Sequence, residues 1–251
     1  MEPTRAAIVV PCYNESRRLR VGEFTRFLDA GGQNITIVFV DDGSRDGTRE
    51  ILERIQAGRR DHVVVMGMAK NSGKGEAVRC GIAHALAQGF PYVGFWDADL
   101  ATPLDATAQL LGVLREHSEF DMVFGARVKL LGRHIERQAA RHYIGRVFAT
   151  VVSLVLQLPI YDTQCGAKVF RATPVMSEIF GQPFLSRWIF DVEVIARYIA
   201  RMESPAAAAR RICEYPLDTW ADIQGSKLKP FDFAIAAYDL ARIHRKYRPR
   251  K

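Results

Sequence analysis

The sequence has few cysteines and no long uninterrupted apolar run. No CxxC pair occurs, so neither a zinc site nor a disulfide framework is indicated, and a reducing, cytoplasmic compartment is expected. The longest apolar stretch, residues 147–158, contains Thr, Ser and Gln and ends at Pro159, whereas a membrane-spanning helix needs about 20 apolar residues. We expect a core or interfacial helix there. The apolar run at residues 6–10 is too short for a signal peptide. The four cysteines are Cys12, Cys80, Cys165 and Cys213.

Common nucleotide-binding and nucleic-acid-binding signatures are also missing. The sequence contains neither GxGxxG nor GxxxxGK[ST], which disfavours a dinucleotide-dependent oxidoreductase and a P-loop enzyme. It has no RRM, KH or zinc-finger signature, and its 35 Lys and Arg are offset by 28 acidic residues, so no nucleic-acid partner is expected. The net charge of +7 still favours an anionic partner such as a nucleotide or a phospholipid surface.

The chain is long and apolar enough to form one large α/β domain. It has 251 residues, of which 48% are hydrophobic. The first half alternates short β-branched runs with amphipathic patterns, which predicts a mostly parallel sheet covered by helices on both faces. The predicted strands are 6–10, 35–40, 63–66, 92–96 and 122–125, and the helices between them are 23–30, 49–56, 75–88 and 106–117. Further on, the pattern predicts helices at 135–158, 187–202 and 231–244, strands ending at 171 and 217, and a loop at 220–229.

Polar clusters follow all five predicted strands of the first half. In a parallel α/β sheet ligands bind at the carboxyl ends of the strands, so these clusters are expected to meet in one nucleotide pocket. The clusters are residues 13–15, 41–42, 71–74, the pair Asp97 and Asp99, and Arg127.

Asp97 and Asp99 directly follow the predicted strand 92–96. Two carboxylates separated by one residue can converge where the chain turns, and their oxygens suit a hard divalent cation beside a diphosphate. Asp99 has an alternative role as a turn or helix-capping residue. Because Leu100 and Ala101 come next, the pair has no obvious third protein ligand, and substrate phosphates and water would complete the coordination.

Eight motifs, in order, cover nearly the whole chain. With them the sequence resembles the inverting, metal-dependent family-2 glycosyltransferases of the GT-A fold, in the group that makes dolichyl-phosphate or polyprenyl-phosphate glucose and mannose. The last four motifs resemble the glucosyl branch more closely. The motifs are VPCYNE (10–15), VDDGS (40–44), NSGKG (71–75), DAD (97–99), GAR (125–127), DTQCGAK (162–168), RWIFDVE (187–193) and GSK (225–227).

The resemblance implies a donor site for a nucleotide sugar, with UDP-glucose the first choice and GDP-mannose the second. Carboxylates there would accept from base N–H groups, Lys74 would face the base or the phosphates, and Asp97 and Asp99 would reach the diphosphate directly or through Mg²⁺ or Mn²⁺. The implied nucleotide-sugar residues are Pro11, Tyr13, Glu15, Asp41, Asp42, Lys74, Asp97, Ala98 and Asp99.

The resemblance also implies a phosphate clamp and an acceptor site. Arg127 would bind phosphates with Arg137, Arg141 and Arg133, although arginines at this spacing are also typical of a solvated helix face. The remaining residues implied on the acceptor side are Thr163, Gln164, Arg187 and Trp188.

The identity of the acceptor decides whether a catalytic base is needed. The implied catalytic residues are Asp99, Arg127 and Asp191. A hydroxyl acceptor must lose a proton, and Asp191 or Glu193 would then be the base. A polyprenyl phosphate, with a second pKa of about 6, is already largely ionised and needs none. Asp191 could instead serve as a carboxylate at a helix N-terminus.

The leading hypothesis is therefore transfer of a hexose, glucose before mannose, to a polyprenyl phosphate, with a soluble hydroxyl acceptor as the alternative. Residues 1–127 would form the nucleotide-sugar half, 128–230 the acceptor half, and 231–251 a closing helix and basic tail. Leu100 stands where the glucosyl branch commonly has glycine, and Ala101 where the mannosyl branch has glutamine, so the sugar stays open. Members of the glucosyl branch usually carry an N-terminal membrane anchor, and from this sequence none is expected. The basic residues after 241, together with the apolar stretch at 147–158, suggest peripheral contact with an anionic membrane.

Overall fold

The computed structural model describes residues 5–30, 34–136, 139–223 and 230–248, with backbone alone at 139–144 and 230–233. Strands and helices alternate through the first half of the chain, as the sequence predicts. The strands are β1 (Ala6–Cys12), β2 (Ile35–Asp41), β3 (Val63–Gly67), β4 (Tyr92–Trp96), β5 (Met122–Ala126), β6 (His134–Glu136), β7 (Ala167–Arg171), β8 (Ile212–Pro216) and β9 (Thr219–Ala221). The helices are α1 (Val21–Asp29), α2 (Thr48–Ala57), α3 (Lys74–Ala87), α4 (Ala106–Glu116), α5 (Ala139–Leu156), α6 (Pro174–Gly181), α7 (Phe190–Ile199), α8 (Pro205–Ala209) and α9 (Pro230–Tyr247).

Seven strands form one sheet in the order β3-β2-β1-β4-β7-β5-β8. All neighbouring pairs are parallel except those of β7, which runs antiparallel to both β4 and β5. The chain moves outward in one direction from β1 and in the other from β4, so a crevice opens between the carboxyl ends of these two strands. The expected mostly parallel sheet is confirmed.

Alternate residues of the strands supply two hydrophobic layers, one on each face of the sheet. In β1, Ala7 and Val9 pack with α3, α7 and α9, while Ala6, Ile8 and Val10 pack with α1, α2 and α4. This is the two-residue period of a strand buried on both faces, and it explains why the strands are almost continuously apolar.

Some predicted elements of the second half differ from the structure. The predicted helix at 135–158 and the predicted loop at 220–229 both begin inside strands, since residues 134–136 and 219–221 pair as the two-stranded sheet of β6 and β9. Helix α7 begins at Phe190 rather than at Arg187, and α6 was not predicted. The helix prediction is wrong at residues 135–136 because the partner strand of β6 lies more than 80 residues further along the chain, outside any local pattern.

Candidate active site at the carboxyl ends of the strands

The loops after β1 and β2 interlock through hydrogen bonds to backbone amides. Ser44 Oγ accepts from the Asn14 amide at 3.0 Å, and Thr48 Oγ1 accepts from the Glu15 amide at 2.8 Å. Asn14 has a φ of +52°, a conformation that asparagine adopts more readily than most residues. The Glu15 side chain pairs with Arg18 at 2.6 Å. These bonds hold the backbone of Asn14 and Glu15, next to Tyr13, against the chain that follows β2.

Asp41 and Asp42 at the end of β2 are both buried. The two oxygens of Asp42 accept from the amides of Ser72 and Gly73 at 2.6 and 2.8 Å, and Asp41 accepts from the Ser44 amide at 3.1 Å. Asp42 therefore anchors the loop that leads to Lys74. The assignment of Asp41 and Asp42 to nucleoside binding stays a prediction. Both carboxylates also have a structural role, because they hold backbone amides of the neighbouring loops.

The chain turns sharply at Asp97–Asp99, directly after β4. The Leu100 amide donates to the Asp97 carbonyl at 3.1 Å, and Leu100 has a φ of +54°. Asp99 Oδ1 accepts a hydrogen bond from the Ala101 amide at 3.1 Å. Asp99 therefore also stabilises the turn, the alternative role that the sequence allows for it. Burial and the neighbouring Asp97 raise the pKa of Asp99. The turn brings both carboxylates to the crevice.

Lys74, the first residue of α3, forms an ion pair with Asp97. Its Nζ lies 2.5 Å from Asp97 Oδ1, and about one third of each side chain is exposed. Burial acts to lower the pKa of Lys74, but the carboxylates of Asp97, Asp191 and Asp99 outweigh it and raise that pKa. The lysine therefore stays charged and faces the carboxylate cluster.

A second lysine, Lys168 on β7, lies beneath this cluster. Its Nζ is 2.8 Å from Asp191 Oδ1, and both side chains are almost fully buried. The ammonium also lies 5.2 and 5.4 Å from the ring centres of Phe95 and Phe124 and donates to the Cys165 carbonyl. Burial raises the pKa of Asp191 although Lys168 and Lys74 oppose it. Asp191 is thus part of a buried ion pair at the N-terminus of α7.

Arg127 is held by Asp162 in a two-pronged ion pair. The distances are 2.6 Å from Nε to Oδ2 and 2.7 Å from Nη2 to Oδ1, and the Arg127 amide also donates to Oδ2. Burial acts to raise the pKa of Asp162, but the Arg127 guanidinium outweighs burial and keeps this pKa at about 2. Burial lowers the pKa of Arg127, but Asp162 more than compensates and raises it above the usual value.

A cavity of about 50 Å³ lies beside this ion pair. Two of the residues that line it, Thr163 and Gln164, carry a buried polar atom, Oγ1 and Nε2, with no hydrogen-bond partner among the residues the structure describes. Arg146 of α5 also lines it, donating to the Tyr161 carbonyl at 3.2 Å with its guanidinium 3.8 Å from the Tyr161 ring centre. The lining residues are Arg127, Gly145, Arg146, Phe148, Ala149, Tyr161, Asp162, Thr163 and Gln164.

Other predicted site residues lie at the edge of the cluster. Arg187 bonds the Ser72 carbonyl at 3.1 Å and the Asn71 side chain at 2.5 Å, which ties the loop before α7 to the loop before α3. Trp188 is half-buried against the core. Pro11 is half-buried within β1, and Ala98 is buried between the two aspartates.

The arginines predicted as a phosphate clamp have different outcomes. Arg133 pairs with Asp218 before β6 rather than lying on a helix. Arg137 lies outside the described residues, as does the GSK motif at 225–227, and the side chain of Arg141 is not described.

Glu193, one of the two candidate bases, has a structural position. It is fully buried and pairs with Arg197 at 2.8 Å, and its second oxygen accepts from the amides of Leu185 and Ser186. The Tyr247 hydroxyl also lies 3.1 Å from it. All these bonds hold the loop before α7 and the end of α9.

Four residues that the sequence reasoning did not assign to the site contribute to it: Gly166, Asp162, Lys168 and Arg146. Because β7 is antiparallel, its amino end, and the loop 162–166 before it, lie at the carboxyl ends of the parallel strands. The motif at 162–168 carried a signal for Asp162, Gly166 and Lys168. No local signal separates Arg146 from an ordinary helical arginine.

The fold is an α/β sheet with carboxylates and lysines clustered at the carboxyl ends of its strands, the place where ligands bind in such sheets. Residues 7–176 match the model of "Glycosyl transferase family 2". The chain belongs to this family, and it is a glycosyltransferase. It is 31% identical over 243 residues to the human dolichyl-phosphate beta-glucosyltransferase, covering 91% of this chain and 71% of the human protein. It is 32% identical over 241 residues to the Drosophila melanogaster protein of the same name, covering 90% and 69%.

Solved structures support the fold. A glucosyl-3-phosphoglycerate synthase from Mycobacterium tuberculosis, in complex with Mn²⁺, UDP and glucosyl-3-phosphoglycerate, superposes with a TM-score of 0.66 at 16% identity. The match covers 99% of this chain and 81% of that one. The expectation of a single-domain GT-A fold is confirmed.

Proposed function

We propose that this enzyme transfers a hexose, glucose from UDP-glucose before mannose from GDP-mannose, to the phosphate of a polyprenyl phosphate, with inversion at the sugar carbon. A phosphate oxygen of the acceptor forms the new bond to C1 as the bond from C1 to the diphosphate breaks, and the electron pair leaves with the nucleoside diphosphate. The relatives are named beta-glucosyltransferases of dolichyl phosphate, which supports this acceptor class. An α-linked donor would yield such a β product in one displacement.

The observation that carries the proposal is the cavity beside Arg127. Arg127, which is paired with Asp162, and Arg146 line it, and the Thr163 hydroxyl and Gln164 amide are buried donors with no partner among the described residues. A buried polar group without a partner is costly, and a phosphate oxygen is a strong acceptor for hydroxyl, amide and guanidinium donors. This combination fits a phosphate monoester better than a neutral hydroxyl.

The surroundings of the two candidate bases agree with an acceptor that is already ionised. The Glu193 carboxylate is buried in the core, where it forms an ion pair with Arg197 and accepts hydrogen bonds from backbone amides. Asp191 forms an ion pair with Lys168. A phosphate monoester with a second pKa of about 6 needs no base at neutral pH. On this proposal Asp191 orients charged groups around the donor instead of removing a proton.

The donor side fits a divalent cation with few protein ligands. Asp97 and Asp99 present carboxylate oxygens, the donor type that Mg²⁺ and Mn²⁺ prefer. Within the described part of the chain no cluster of three or more His, Cys, Asp or Glu side chains could hold a metal. Diphosphate oxygens and water would therefore complete the coordination. When bound, the cation stabilises the charge that develops on the leaving nucleoside diphosphate.

A lipid acceptor also requires access to a membrane, and we assign this contact to α5 and α9. The two helices share the core layer through Val152 and Leu240. The outer face of α5 exposes Val147, Val151 and Leu154, which share one side of the helix. Basic residues fill the last turn of α9. Apolar side chains beside basic ones suit an anionic phospholipid surface. No helix among the described residues is long and apolar enough to cross a membrane.

The test is transfer of labelled glucose from UDP-glucose to a polyprenyl phosphate in detergent, with the matching polyprenol lacking phosphate as the comparison. We expect product only with the phosphate. Product from the polyprenol, or from a soluble sugar alone, would refute the acceptor assignment. GDP-mannose in parallel tests the donor.

Thr163→Val tests the cavity itself. Loss of one hydrogen bond to a charged oxygen is worth about 1.5–3 kcal/mol, so KM for the polyprenyl phosphate should rise roughly tenfold or more, with UDP binding unchanged. The matched control is Thr107→Val. Thr107 is also a buried threonine whose hydroxyl has no partner among the described residues, but it does not line the cavity. It should leave KM unchanged.

A further inference from the structure

Lys74 pairs with Asp97, one of the two carboxylates that would hold a divalent cation. The ammonium lies 2.5 Å from Asp97 Oδ1, the distance of a direct ion pair. Gly166 packs so closely against this carboxylate that a β-carbon at position 166 would overlap Asp97 Oδ2. A cation that binds Asp97 therefore meets a positive charge already in place.

The position of Lys74 is set by the preceding residue, Gly73, and by the groups that hold Gly73 in place. The preceding Gly73 has a φ of +99°, and a β-carbon there would lie 2.7 Å from Arg187 Nε. The Gly73 amide is held by Asp42 at 2.8 Å. This anchoring starts α3 directly opposite Asp97, so the ion pair is built into the fold instead of arising from a mobile surface lysine.

A second carboxylate acts on Lys74 from the protein interior. The charge of Asp191 acts on Lys74 as well as on Lys168, and the Lys74 ammonium lies 6.0 Å from the ring centre of the adjacent Phe190. Asp191 is therefore an anionic neighbour that would still balance part of the charge of Lys74 if its contact with Asp97 were broken. The diphosphate of a donor would supply the remaining negative charge.

We propose that Lys74 and the divalent cation compete for Asp97, and that the donor diphosphate ends this competition by giving the Lys74 ammonium a second anionic partner. Cation and nucleotide then bind cooperatively because the lysine changes partners. By linkage, the factor by which UDP tightens cation binding equals the factor by which the cation tightens UDP binding. This inference rests on the proposed nucleotide-sugar donor.

The experiment measures Mn²⁺ affinity by electron paramagnetic resonance or calorimetry, first with Mn²⁺ alone and then with saturating UDP. Lys74→Met should raise the affinity for Mn²⁺ alone at least tenfold and reduce the gain that UDP gives. Lys74→Arg, which keeps the charge, should resemble the wild type. Asp97→Asn should weaken Mn²⁺ binding both with and without UDP.

Lys70→Met is the matched control, because it removes the same charge at an exposed position in the loop that precedes α3. It should leave Mn²⁺ binding unchanged. If Lys74→Met binds Mn²⁺ alone no more tightly than Lys70→Met does, the competition is refuted. Lys74→Gln gives a second readout should the methionine variant fold poorly, as judged by its thermal unfolding.

Failure of the proposed function would be seen separately. If UDP and GDP both fail to bind, or if no sugar is transferred, the donor assignment falls. A tenfold gain in affinity for Mn²⁺ alone in Lys74→Met would in that case still support competition at Asp97. Conversely, normal transfer together with an unchanged Mn²⁺ affinity in Lys74→Met would overturn the competition and leave the function intact.

Discussion

Gly166 and Asp97 fit together at the backbone and at the side chain. The Gly166 carbonyl accepts from the Asp97 amide at 2.9 Å, and the Asp97 carboxylate fills the space that a β-carbon at position 166 would need. The loop before β7 therefore sets the orientation of a carboxylate that follows β4, about 70 residues earlier in the chain.

Gly166→Ala should displace the Asp97 carboxylate, because a side chain at 166 would overlap it. We expect transfer activity to fall by about two orders of magnitude, the effect of moving a reacting group by about 1 Å. Steady-state kinetics checks this, with Mn²⁺ binding as a second readout. The control, Gly112→Ala, lies inside α4 with open space around the α-carbon. It should stabilise the protein by roughly 0.5–1 kcal/mol and leave activity unchanged.

Leu100 combines a left-handed backbone with a buried side chain. Truncating a buried leucine costs about 2–5 kcal/mol, whereas a non-glycine residue in this backbone region costs about 1–2 kcal/mol. The lost burial dominates, so both Leu100→Ala and Leu100→Gly should be less stable than the wild type. Glycine avoids the backbone penalty, and we expect Leu100→Gly to be more stable than Leu100→Ala by about 1 kcal/mol.

Urea unfolding of these variants checks the order. Leu104 is the comparison, since it is equally buried but has no positive φ. There the alanine variant should be the more stable of the pair. The same order of stability at both positions would show that the Leu100 backbone carries no penalty.

The ion pair of Asp162 with Arg127 should make stability depend on acid pH. The folded pKa of Asp162, about 2, lies below the ordinary value of 3.8, so the stabilisation is present above about pH 4 and is lost as the pH falls towards 2. The shift corresponds to about 2 kcal/mol. Urea unfolding between pH 5 and pH 2 should show a shallower loss of stability in Asp162→Asn.

The comparison for this pH dependence is Asp105→Asn, which changes an exposed carboxylate without a side-chain capping bond. Its stability should follow the wild-type curve over the same pH range. A wild-type slope in Asp162→Asn would contradict a stabilising role for the pair.

The proposed membrane contact predicts flotation with anionic vesicles. Leu154 of α5 is 75% exposed, and Leu154→Glu would place a charge on the apolar face without disturbing the core. We expect the vesicle-bound fraction to fall several-fold in Leu154→Glu. Ala57→Glu adds the same charge at an exposed position at the end of α2 and should bind like the wild type. Equal binding by all three proteins would exclude α5 as the contact.

The sequence by itself determined the first half of the fold and the location of the site. The β-branched runs that form β1 to β5 and the amphipathic runs between them are local patterns, and burial on both faces of a sheet leaves a recognisable apolar sequence. Parallel strands bring their carboxyl ends together, so the sequence alone predicts that the clusters around Asp41, Lys74, Asp97 and Arg127 lie at the same end of the strands. The family resemblance added residues such as Thr163 and Gln164.

Only the tertiary structure decided which charged groups face each other. The antiparallel entry of β7 between β4 and β5 places Gly166 on Asp97, pairs Asp162 with Arg127 and buries Lys168 against Asp191. The pairing of β6 with β9 likewise joins segments that lie far apart in the chain. These contacts join segments tens of residues apart, and their geometry depends on how whole layers pack, which no local period in the sequence encodes.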